Sequence, residues 1–153
     1  MSPFFKRVSP SQMSVKISYS NRHSVNGKAI NDIHIGIDNR IVGSNANSMQ
    51  NLAPGTLVVI TDSSKRILQI SEVTAIASDS DASVWYLRGG KKWEYNYKII
   101  PLTLVVKITP YLKYIIDELT RGNSSEFWDN NLHHTHGGYR KIVKQLVEEI
   151  NGE

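Results

Sequence analysis

The stretch TLVVITDSSKRILQISEVTAI, Thr56 to Ile76, decides the fold. Its first six residues form a short apolar run bounded by threonines, which reads as a buried strand. Asp62 to Lys65 make a polar turn. From Arg66 to Ile76 the side chains alternate, with Ile67, Gln69, Ser71 and Val73 opposed to Leu68, Ile70 and Glu72. A period of two belongs to an extended strand. The centre of the chain is therefore β-structure, and its neighbours show whether the sheet continues on both sides.

Toward the N-terminus, SVKISYS (14–20) places Val15, Ile17 and Tyr19 on one face, a half-buried strand. NRHSVNGKAIND breaks that period with Asn and Gly and has room for at most a short helix. DIHIGID (32–38) alternates again and predicts a strand with Ile33, Ile35 and Ile37 inward. The Asn-rich segment that follows, NRIVGSNANSMQNLAPG, reads as a loop holding one helical turn and closing on the Pro54-Gly55 turn signal. Residues 1–13, rich in Ser and Pro, read as a flexible lead-in, so the domain proper spans 14–153.

Toward the C-terminus, SVWYLR, the Gly89-Gly90 pair and KWEYNYKIIPLTLVVKI together predict an aromatic hairpin. Pro101 then belongs at an edge or a bulge, because proline cannot donate to a ladder. Thr109-Pro110 is a capping residue followed by proline at the first helical position. Tyr111, Leu112, Ile115, Ile116 and Leu119 recur at helical spacing until Gly122. A second helix starts near Gly138, with Tyr139, Ile142, Val143, Leu146 and Ile150 on one face. The expected architecture is α+β, a small curved β-barrel of about six strands with two C-terminal helices.

Composition narrows the function. The 153 residues suit one domain, and the absence of cysteine excludes disulfide frameworks, zinc ribbons and thiol catalysis. No apolar run approaches the roughly 20 residues of a membrane span, and the N-terminus lacks a signal-peptide apolar core, so no membrane partner and a cytoplasmic location are expected. Lys and Arg number 18 against 14 acids, a formal charge of +4. That excess permits an anionic partner without demanding one. The cations gather at Lys6 to Arg7, Arg88 to Lys98 and Arg140 to Lys144.

Chemistry-bearing motifs are sparse. His133, His134 and His136 sit in LHHTHGG (132–138), yet no cysteine or close carboxylate pair completes a metal set, and Asp129 is the only nearby acid. The simpler reading is a polar loop turning into the last helix, whose imidazoles suit a phosphate. A metal-dependent enzyme built on these histidines is the alternative, whereas no metal and no cofactor is the main expectation. Ser-His-Asp spacing, a nucleophile elbow and a P-loop are all missing, so no catalytic residue is predicted.

The aromatic stretch is more informative. Trp93, Tyr95 and Tyr97 share one side of a strand, with Glu94, Asn96 and Lys98 on the other. Each such ring buries roughly 150–250 Å². A core of this size does not hold them all, which leaves rings free to stack on a nucleobase while Arg88, Lys91, Lys92 and Lys98 meet phosphates.

The order of elements resembles the PUA-like superfamily, most closely its EVE and YTH-type branch, over residues 14–150. The likeness is carried by KISYSNR, GKAINDIHIGI, PGTLVVIT, ILQISEVTAI, WEYNYKIIPL and the closing FWDNNLHHTHGGYRKIVKQLVEEI. It implies a domain that binds without catalysis, holding a modified base in an aromatic-lined pocket. Some members read methylated RNA. Others are DNA-recognition modules of McrB-like modification-dependent restriction systems, where the base is flipped from the duplex.

The implied base-binding residues are Trp85 or Trp93 as stacking ring, with Tyr19, Ser20, Asn21, His34 and Asn39 around it. The implied phosphate contacts are Arg22, Arg40, Arg88, Lys91, Lys92, Lys98, His133, His134 and Arg140. The chain departs from the family where Tyr19 stands in the region of a common first-strand tryptophan and where His34 replaces a common aromatic. The expectation is a base-recognising targeting module of a restriction or defence system, with DNA preferred over RNA and a motor and nuclease subunit as fused or associated partner. A reader of modified RNA is the second reading.

Overall fold

The computed structural model describes residues 14–19, 23–25, 28–30, 32–87, 92–129 and 138–152. The strands are β1 (Ser14–Tyr19), β2 (His23–Val25), β3 (Lys28–Ile30), β4 (Ile41–Ser44), β5 (Leu57–Asp62), β6 (Ile67–Ile76), β7 (Tyr95–Pro101) and β8 (Val106–Lys107). The helices are α1 (Asp32–Asn39), α2 (Asp79–Ala82), α3 (Val84–Leu87), α4 (Pro110–Leu119), α5 (Ser124–Asp129) and α6 (Gly138–Asn151), with a 3-10 turn at Asn47–Met49.

A six-stranded mixed sheet in the order β1-β5-β6-β7-β4, with β8 also on β6, curls into a half-barrel. The α+β barrel-like class expected from the sequence is the one observed. β1 runs parallel to β5, from Ser14 beside Leu57 to Tyr19 beside Asp62. The central β5–β6 pair is antiparallel, as Thr56 to Ile76 predicts. Every residue of β5 is buried because the sheet is covered on both faces. Val58 and Ile60 point into the half-barrel with Val15, Ile17, Ile33, Val73, Tyr97 and Ile99. Leu57 and Val59 point outward, joining Leu68 and Ile70 against Leu112, Ile116, Phe127, Val143 and Leu146 of the C-terminal helices. Burying each of these aliphatic side chains contributes about 1.5–3 kcal/mol.

The C-terminal helices follow their sequence signals. The Thr109 hydroxyl accepts from the Leu112 amide at 3.1 Å, Pro110 occupies the first turn, and Gly122 takes a left-handed φ of 85° just past the end of α4. Pro101 closes β7 beyond the reach of β4, whose last partner there is Lys98, so only β6 pairs with it.

Four expectations are corrected. Residues 32–38 form α1 instead of a strand. The residues before it, expected to hold at most a short helix, pair as the β2–β3 hairpin. Ile41–Ser44, expected within a loop, is a strand on β7, while the helical turn expected downstream is the one at Asn47–Met49. Val84–Leu87 is helical, so the aromatic hairpin does not form from that side. Its turn at Gly89-Gly90 lies outside the described residues, as do the lead-in and the His133–His136 loop.

α1 is a helix despite its alternation because burial spans a wide arc of it, taking in Asp32, Ile33, Ile35 and Gly36, while His34 and Asp38 are exposed. Ile33 is fully buried, Ile35 nearly so, and Ile37 packs on the same cluster. The packing is closest at Gly36, where an added Cβ would lie 2.8 Å from the Ile41 carbonyl oxygen and 2.9 Å from Trp85. α2 and α3 form a break between β6 and β7. Ser78 and Asp81 make a reciprocal capping box, the Asp81 amide donating to Ser78 Oγ at 3.0 Å. These bonds to Ser78, with a smaller contribution from Lys98, hold the Asp81 carboxyl below its usual pKa.

Candidate nucleobase site

The two edges of the curled sheet, β1 and β4, approach each other across a seam. Tyr19 bridges it. Its hydroxyl donates to the Gly43 carbonyl at 2.8 Å and accepts from the Gly43 amide at 2.9 Å. One side chain thereby supplies the pair of bonds that a neighbouring strand would supply. Burial, outweighing the Gly43 bond and aided by the charge of Asp32, pushes the phenol well above its usual pKa.

Three rings meet behind the seam. Tyr19 lies 5.8 Å from Trp85 and 5.7 Å from Trp93, and the two indoles are 6.2 Å apart at 78°. The two pairs made by Trp93 are edge-to-face, a favoured geometry for aromatic rings, whereas Tyr19 and Trp85 are tilted by 32°. Trp85 is 0% exposed and Tyr19 2%, whereas Trp93 is partly exposed. The Trp85 indole N–H has no hydrogen-bond partner among the described residues.

Trp93 lines two spaces. One is a hollow of about 70 Å³ lined also by Lys16 to Tyr19, Gly43, Ser44 and Met49. A cavity that takes up benzene measures roughly 150 Å³, so a base does not fit there as the rings stand. The other is a groove of about 380 Å³, lined also by Asp79, Ala82, Tyr86, Lys92, Glu94 and Asn96. A second groove of about 320 Å³ shares Asp79, Ala82, Glu94 and Asn96 and continues past Ile76 and Tyr95. Burial, and then the neighbouring Glu94 charge, raise the Tyr95 phenol above its ordinary pKa.

β7 positions this wall. As the alternation predicts, Tyr95 and Tyr97 face inward with Ile99, and the Tyr97 hydroxyl donates to the Met49 carbonyl at 2.6 Å. Asn96 faces Gly43 across the β4–β7 pair. Its Nδ2 donates to the Trp93 carbonyl at 2.8 Å, and its buried Oδ1 has no partner among the described residues.

Of the residues singled out from the sequence, Tyr19, Trp85 and Trp93 come together, and Lys92 lines the Trp93 groove. His34, Asn39 and Arg40 are exposed along α1 and at its end, and none of them lines the hollow or either groove. Asn39 is tied to its own helix, its Nδ2 donating to the Ile35 carbonyl at 2.8 Å. Lys98 is exposed on β7. Arg140 ties α6 to the start of β5, donating to the Gly55 carbonyl at 2.6 Å. Ser20, Asn21, Arg22, Arg88, Lys91, His133 and His134 lie outside the described residues. Among the described residues no group of three or more metal-ligating side chains occurs.

Sequence reasoning missed Gly43, Asp79, Tyr86 and Asn96. A lone glycine in IVGS was the available signal for Gly43, since glycine within a strand marks close backbone approach. The Ser78 to Asp81 spacing was the signal for the helical break that presents Asp79 and Tyr86.

Compared with known protein families and with curated proteins, the chain matches no family model and no curated sequence.

Proposed function

We propose that the protein is a nucleic-acid-binding domain that holds one extruded, modified base against Trp93, as the targeting module of a restriction or defence system acting on DNA. The reading is carried by the position of Trp93. It packs edge-to-face with Tyr19 and Trp85 and also lines a groove with room for a base. A rigidly backed indole loses little entropy on stacking, an interaction worth about 1–3 kcal/mol per base. That gain offsets part of the few kcal/mol that extrusion costs. Lys92, which lines the groove, and Lys98, exposed on β7, are the cations this reading assigns to the flanking phosphates. The choice of DNA and of a defence context rests on the resemblance to the EVE and YTH-type branch.

The test is a tryptophan-fluorescence titration with matched oligonucleotides, with and without base methylation. The expected result is quenching with at least tenfold tighter binding of the methylated strand, lost in Trp93→Ala while the fold persists. Binding that ignores methylation would reject the reading and leave only electrostatic attachment.

A further inference from the structure

Resting on that reading, we infer that the base held in the Trp93 groove carries its modification as a positive charge, as 1-methyladenine, 3-methylcytosine or 7-methylguanine does. The groove has an unusual lining for a neutral heterocycle. Among the described residues, two rings, Trp93 and Tyr86, share it with two carboxylates, Asp79 and Glu94, and with Lys92. The carboxylates come from different elements, Asp79 from the first turn of α2 and Glu94 from the approach to β7, and both also border the adjoining groove. A cationic ring between aromatic faces gains from their quadrupoles, and more as water is excluded. It also finds opposite charge at its rim. A neutral base entering the same space displaces water from two carboxylates and returns no charge to them, which disfavours it.

The short helix α3 turns one ring to the core and one to the groove: Trp85 is sealed while its neighbour Tyr86 is 45% exposed.

The experiment uses the full chain and single-stranded oligonucleotides of one sequence carrying adenine, N6-methyladenine or 1-methyladenine. The last two are isomers of similar size, one neutral and one cationic. The expected order places 1-methyladenine at least tenfold tighter than N6-methyladenine, and the Asp79→Asn/Glu94→Gln double variant brings that ratio toward one with an unchanged circular dichroism spectrum. If N6-methyladenine binds as tightly or more tightly in a Trp93-dependent manner, the charge inference is overturned and the base-binding reading stands. If no oligonucleotide binds through Trp93, both are overturned. Quenching by a trimethyl-lysine peptide in place of any oligonucleotide likewise overturns the inference, assigning the groove to a protein partner.

Discussion

The Tyr19 hydroxyl holds both backbone polar groups of Gly43, 24 positions away, and so joins the first and last strands of the curled sheet. Tyr19→Phe keeps the ring among the indoles and removes only this tie. A buried amide and carbonyl then lose their shared partner, which costs about 1–3 kcal/mol. Chemical denaturation followed by circular dichroism measures the loss, and a change below a few tenths of a kcal/mol would show that the seam closes without it.

The same hydroxyl makes stability sensitive to alkali. Burial favours the neutral phenol in the folded chain, whose pKa is raised above the ordinary 10.0. Below pH 10 both states keep the proton and the contribution is complete. Above it the unfolded chain releases the proton first, so stability falls with pH by up to about 1.4 kcal/mol per unit until the folded pKa is reached. Denaturation between pH 9 and 11 is expected to show a steeper decline for the native sequence than for Tyr19→Phe. Parallel slopes would contradict the burial of a neutral phenol.

Gly43 has an ordinary backbone, and its need for glycine is spatial. An added Cβ would lie 2.6 Å from Trp93 and 2.7 Å from Asn96 Oδ1. Gly43→Ala is therefore expected to push the indole outward, destabilising by about 1–3 kcal/mol as overpacking does. Because Trp93 is partly exposed already, its emission should shift to the red. An unshifted spectrum with full stability would mean that the ring moves freely at no cost.

The two indoles separate structure from binding. Trp85 is fully buried against Tyr19 and α1, and truncation to Ala removes about 3–5 kcal/mol of stability. Trp93→Ala, in the lining of the groove, is expected to cost less stability and to abolish base-dependent quenching. Thermal melts of both variants give the comparison; a Trp85→Ala protein as stable as the parent would contradict the sealed core described here.

The legible parts of the sequence were those where local signal and tertiary environment agree. β5 and β6 announce themselves because their apolar residues face two cores, and α4 because Thr109, Pro110 and Gly122 mark its ends. α1 was illegible for the converse reason. Ile33, Ile35 and Ile37 follow strand spacing, yet a short helix buried over a wide arc needs no narrow apolar stripe, so periodicity cannot separate the two. Val84–Leu87 has the β-favouring residues of a strand, and the capping box at Ser78 with the helical turn after it overrode that weak preference. Of the site, the rings were visible as a concentration of aromatics in the sequence. Their mutual packing was not, because Tyr19, Trp85 and Trp93 meet only once distant strands curl together.

The parallel pairing of β1 with β5 imposes an order on synthesis. A ribosome delivers Ser14 long before Leu57, its partner in the ladder, so the opening strand must wait while the β5–β6 hairpin, linked by only a few residues, condenses alone. Closing that distant contact late places the β1–β5 ladder outside the folding nucleus. Val15→Ala is then expected to accelerate unfolding while leaving the refolding rate nearly unchanged, the kinetic imprint of a barrel that is zipped shut last.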